Sequence, residues 1–148
     1  MNAALIAALH HLSMFALFSA LLTELVLLRE APDLARARRL LRADLVYGLA
    51  AAAMLGFGLL RMFLFEKSPD YYLQSLPFLL KLVLFALVGI LSIYPTLRFM
   101  GWRKSLRAGQ APETTEAQLK RLRLCVHSEL TLLLLMPVCA ALAAKGIG

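Results

Sequence analysis

The sequence predicts an all-α integral membrane protein, a four-helix bundle in which residues 1–148 form one domain, and three observations lead there. First, 61% of the 148 residues are hydrophobic and the mean hydropathy is +0.74, outside the range of soluble globular domains. Second, the apolar stretches Ala3 to Leu28, Ala43 to Phe65, Leu76 to Met100 and Leu122 to Ala144 each reach the ~20 residues that a helix needs to cross a bilayer. Third, the net charge of +7 is gathered between the stretches. Arg29, Arg36, Arg38, Arg39 and Arg42 separate the first two, and Arg98, Arg103, Lys104, Arg107, Lys120, Arg121 and Arg123 surround the last connection. Between the second and third, Lys67 is offset by Glu66 and Asp70. Positive charge stays on the cytoplasmic side, so the two basic loops are cytoplasmic and both termini periplasmic. The expected location is the bacterial cytoplasmic (inner) membrane, multi-pass, with the lipid bilayer as first partner.

The elements follow in order. No Lys or Arg precedes the first stretch, which is too long for a signal-peptide core, so it reads as retained. In "PDLARARRLLRADLVYGL" Asp33 is a helix N-cap followed by leucines at helical spacing, and the second helix therefore starts in the cytoplasm as an arginine-studded ramp, an anchor to anionic headgroups or a partner-binding surface. "EKSPDYYLQSLPF" suits a short interfacial helix begun by Ser68 and Pro69, with Pro77 as a break. "MGWRKSLRAGQAPE" reads as a flexible loop with Trp102 at the interface, after which Thr115 and Gln118 form a capping box.

Several classes are excluded. The basic residues follow the connections rather than one face, which argues against nucleic acid. Phosphate-loop, G-x-S-x-G and H-E-x-x-H motifs are missing, as is the C-x-x-C-H of c-type haem attachment. Cys125 and Cys139 are about 21 Å apart on one helix and cannot bridge.

Ionisable groups inside spans are costly and mark sites. Here they are His10, His11, Glu24, Arg61, Lys81, His127 and Glu129. Topology sorts them into an outer layer of His10, His11, Arg61 and Lys81, and an inner layer of Glu24, His127 and Glu129 with Asp44 and Tyr47 nearby. At 100° per residue His10 shares a side with Ser13, Ala20 and Glu24, whereas His11 follows Phe15 and Phe18, so His10 is the inward histidine. Arg61 shares a face with Gly58, Ala50 and Tyr47, and Lys81 with Val88, Ser92 and Pro95; these small or polar stripes read as interior. Structural alternatives stand beside each. Arg61 and Lys81 can snorkel to headgroups, the glutamates can pair with loop arginines, and His127 can make a local hydrogen bond.

Imidazole is the usual axial ligand of haem b in a helical bundle. His10, with His11 as alternative, is the candidate ligand, Lys81 a second ligand or propionate partner, and Arg61 a propionate partner. His127 fits less well as a metal ligand, since about 10 Å of helix rise separates it from His10 and His11.

The ordered segments "LHHL", "TELVLLR", "YGLAA", "GLLRMFLFEKSPDYY", "KLVLFALVGILSIYPTLRF" and "SELTLL" resemble, over nearly the whole chain, a family of small bacterial four-span membrane proteins, domain of unknown function 2214. More distantly, the pattern is similar to the bacterial membrane protoporphyrinogen oxidase and the copper-resistance D membrane domain. His10, Ser13, Ser19 with Ala20, Lys81 with Leu82, and Glu129 match positions of the oxidase pattern, while Leu17 stands where that family has tryptophan. The resemblance implies haem b held by the histidine and lysine, and raises porphyrinogen oxidation as an activity. It does not carry the substrate over.

The expectation from these residues is a haem-b-binding membrane protein with a redox or electron-transfer role, in which Glu24 and Glu129 handle protons. A membrane donor such as a quinol and a homo-oligomeric state are compatible with it. The alternative is a haem-free, proton-coupled transporter or copper-handling protein, with Glu24 as the proton-coupled group and the two histidines holding copper. A scaffold subunit without a site is a third reading.

Overall fold

The computed structural model describes residues 2–64, 74 and 76–144. Helix α1 (Ala3–Leu27) is capped by Asn2, whose Oδ1 accepts from the Ala4 N–H at 3.2 Å. Its inward stripe, Ile6, His10, Ser13, Leu17, Leu21 and Glu24, recurs at three- and four-residue steps. Helix α2 (Leu34–Leu64) begins nine residues before the apolar stretch it contains. Asp33 caps it, accepting the Arg36 N–H at 2.7 Å, while the Arg36 guanidinium reaches Glu30 at 2.6 Å. The arginine ramp is therefore the helix's own first turns.

Helix α3 (Leu76–Gly101) carries Pro77 in its first turn, where a missing N–H has no intrahelical partner to lose, so this proline starts the helix and does not break it. The segment 65–73, with most of the expected interfacial helix, lies outside the described residues. The connection between α3 and the last long helix differs from the flexible loop expected. Arg103–Arg107 form the short helix α4, Leu106 is buried, and Gly109 turns the chain at φ 72°. Trp102 packs into the bundle, 8% exposed, with its ring 5.1 Å from that of Phe99. One helical turn is too short to show a period, which is why sequence pattern missed it. The Thr115–Gln118 box forms as expected, both bonds 3.2 Å long, and opens α5 (Glu116–Ala144).

Among the described residues four helices are long and apolar enough to cross a membrane. Large apolar side chains cover their outer surface, Leu12, Phe15, Leu97 and Leu124 being more than 60% exposed. In water such a surface would aggregate; against lipid it is solvated. The helices pack as two hairpins, α1 on α2 and α3 on α5. α1 and α5 join the hairpins across the core, whereas α2 and α3 scarcely touch and leave a groove. At the basic end the Arg123 side chain donates to the Leu28 carbonyl at 2.9 Å, satisfying an acceptor left over at the end of α1, and Arg38 donates at 3.3 Å to the Leu106 carbonyl, which also accepts the Gly109 N–H. Cys125 and Cys139 are free thiols on α5.

A candidate carboxylate site beside an open groove

All four long helices contribute to the inner layer. Glu24 comes from α1 and Glu129 from α5, 2% and 1% exposed respectively. Their burial follows from helical register. Glu24 continues the stripe of Leu17, Ala20 and Leu21, and Glu129 that of Leu122 and Val126. Neither is paired with an arginine of the basic loops, the structural role that was open for them. Among the described residues, one oxygen of Glu24 and both of Glu129 have no hydrogen-bond partner.

Around this pair stand polar groups from α2 and α3. Glu24 lies within Coulombic range of Glu129 and Asp44. Asp44 is half-buried and accepts from the Thr96 hydroxyl at 2.6 Å. The Tyr47 hydroxyl approaches Ser92 and Glu129 without full hydrogen-bond geometry to the carboxylate. Tyr47, Asp44, Ser92 and Thr96 also line the α2–α3 groove, which encloses about 460 Å³ and has Arg103 at its inner end. Tyr47 thus stands between the groove and the glutamates. The small-residue stripes are only partly interior. Ala50, Val88 and Pro95 are buried, but a Cβ added to Gly48 or Gly89 would meet nothing within 4 Å, so these glycines border open space.

The outer layer is sorted as the facing angles predict. His10 is 8% exposed, and its Nδ1 lies 3.0 Å from the Met54 carbonyl. His11 is exposed and bonds its own helix at the Ala7 carbonyl, 2.7 Å away. Gly58 faces the His10 ring, so that an added Cβ would come within 3.3 Å of Cε1. Lys81 and His10 line one cavity with Met54, Phe78 and Met136, and Arg61 lies within Coulombic range of the histidine. His127, expected in the inner layer, is exposed on α5.

These residues were weighed against the groups they could hold. His10 is anchored through Nδ1 on the Met54 carbonyl, as a metal-ligating histidine is held by a carbonyl on its other ring nitrogen, and Lys81 supplies a second nitrogen donor. The space does not match. The cavity encloses about 90 Å³, against the ~300–1,000 Å³ of sites for drug- or cofactor-sized molecules, so the residues as placed leave no room for a porphyrin ring. For copper, His10 and His11 take up carbonyls on different helices, with ring centroids 5.9 Å apart, and do not converge on one ion. No cluster of three metal-ligating side chains occurs among the described residues.

What sequence reasoning missed is the groove, together with Thr96 and Arg103. Gly48, Ala51 and Ala52 opposite Gly89 carried a signal for it, but the same pattern also describes tight helix packing.

The family model of predicted membrane proteins, domain of unknown function 2214, matches residues 2–148. Neither curated proteins nor solved structures give a match.

Proposed function

The chain belongs to this family of predicted membrane proteins, and we propose that it is a proton-linked carrier of the bacterial cytoplasmic membrane whose proton-binding groups are Glu24 and Glu129. The observation behind this reading is the pair of almost fully buried carboxylates with unpartnered oxygens in the bundle interior. An unpaired carboxylate there is stable only with a proton or a cation on it. The site therefore holds one or the other, and an exchange between them couples a cargo to proton movement. Tyr47 supplies the route, since its hydroxyl lies beside Glu129 while its side chain borders the groove.

Infrared difference spectra of the purified protein across a pH step test the proton sites. Carboxylic-acid carbonyl bands are expected, one lost in Glu24→Gln and one in Glu129→Gln. If neither variant removes a band, the glutamates hold no exchangeable proton and the reading fails.

A second reading, haem b with His10 and Lys81 as ligands, Arg61 as a propionate partner and a quinol as electron donor, rests on the convergence of His10 and Lys81 on one cavity. It requires α2 and α3 to part further than they do here, because the cavity that His10 and Lys81 line encloses about 90 Å³. Visible spectra of protein from a haem-replete host separate the two readings. A Soret band lost in His10→Ala but kept in His11→Ala supports haem, and a colourless, folded wild type removes it.

A further inference from the structure

We propose that the α2–α3 groove is the seat of a lipophilic organic cation, a bulky amine or onium ion that enters sideways from the membrane. The inference rests on the proton-linked reading above and supplies its substrate class.

The groove is lined mainly by apolar side chains such as Leu45, Leu49, Leu55 and Phe85, and its volume of about 460 Å³ suits a molecule of drug size. It is open between the helices, and a Cβ added at Gly48 or Gly89 would meet nothing within 4 Å. The polar groups are confined to one end. Asp44 and the Tyr47 hydroxyl lie on α2, with Ser92 and Thr96 opposite on α3.

Charge then selects the occupant. Asp44 lines the groove itself, Glu129 lies directly behind Tyr47, and Glu24 is within Coulombic range of both acids. The one base on the groove wall is Arg103, at its inner end. The wall itself sets one acid, Asp44, against one base, Arg103, and the protonated glutamates behind Tyr47 can answer an added positive charge by giving up a proton but have no answer to a negative one. A neutral chain would leave the glutamates as they are. A cation with an apolar body buries that body against the leucines and Phe85, and brings its charge to Asp44 and the face of Tyr47. Its arrival releases one proton from the glutamate pair to water, so the charge of the site is the same before and after.

Tetraphenylphosphonium and tetraphenylborate have the same shape and opposite charge, which makes them the probes. Equilibrium dialysis of the detergent-solubilised full chain, with detergent alone as blank, should show tetraphenylphosphonium bound at least about tenfold more tightly than tetraphenylborate, as expected for one desolvated cation–π contact on Tyr47 beside Asp44. Asp44→Asn can still accept from Thr96, and should remove that preference. Binding in weakly buffered solution should release protons in the wild type and fewer in Glu24→Gln. Equal binding of both ions would mean apolar partition alone, and preference for the borate or no binding of either would likewise overturn the proposal. If the infrared bands respond to Glu24→Gln and Glu129→Gln while the phosphonium ion does not bind, the proton-linked reading stands and the substrate class is wrong. If both fail, both are wrong.

Discussion

Replacing Glu129 by methionine should make the protein more stable while disabling it. The side chain is 1% exposed and, among the described residues, neither oxygen has a partner in full hydrogen-bond geometry, the Tyr47 hydroxyl only approaching it. An unsatisfied buried polar group costs about 1–3 kcal/mol, and exchanging buried ionic groups for apolar ones of similar volume is often neutral or stabilising by about 1–4 kcal/mol. Methionine is close in volume, unbranched and able to fit the same space against Val126 and Leu133. A gain of roughly 1–3 kcal/mol is therefore expected, and at about 2–4 °C per kcal/mol for a chain of this size the melting temperature in detergent should rise several degrees. Glu129→Gln keeps the shape but also keeps unpartnered polar atoms, so it should gain less. Thermal unfolding followed by circular dichroism ranks the three proteins. If Glu129→Met melts well below wild type, the carboxylate is held by donors that stabilise the fold, and the argument that it is kept for binding collapses.

Four further outcomes are expected. Gly58→Leu should lower stability by about 1–2 kcal/mol, because the new side chain crowds His10 off the Met54 carbonyl, combining overpacking with a lost hydrogen bond. Gly89→Ala meets nothing and should gain up to about 1 kcal/mol of helix propensity; denaturation of both variants checks the contrast. Thr115→Ala should cost about 0.5–2 kcal/mol through loss of the cap on α5, read as a drop in melting temperature, and no drop would mean that the capping box is idle. With Cys125 and Cys139 replaced by serine, Gln110→Cys should be labelled by a membrane-impermeant maleimide only after the cells are opened, whereas labelling in intact cells would invert the topology.

The long helices were readable because each states its period many times over. The stripe from Ile6 through His10, Ser13 and Leu17 to Glu24 fixes one face of α1, and the same geometry separated His10 from His11. Caps were readable because Asp33 and Thr115 act within three residues of their partners. Relations between helices were not. His127 shares a helix and a polar character with Glu129, yet two residues of separation turn it outward. That Lys81 would border the same cavity as His10 followed from depth, but its narrowness depends on how closely α2 approaches α3, which no single helix encodes. The contribution of Leu106 and Trp102 to the core was hidden by the glycine and charges around them.

The two-hairpin packing bears on how the protein is made. Each hairpin is a pair of antiparallel helices that can enter the membrane together, but Glu24 belongs to one pair and Glu129 to the other. The stripe that carries Glu24 packs through His10 on α2 of its own pair, but Glu129 lies near Glu24 and Tyr47 beside Glu129 only across the two pairs, so a half-made molecule carries an acidic mark that the finished one conceals. The cell's membrane proteases and insertion factors would then have a chemical difference by which to tell an orphan hairpin from an assembled bundle.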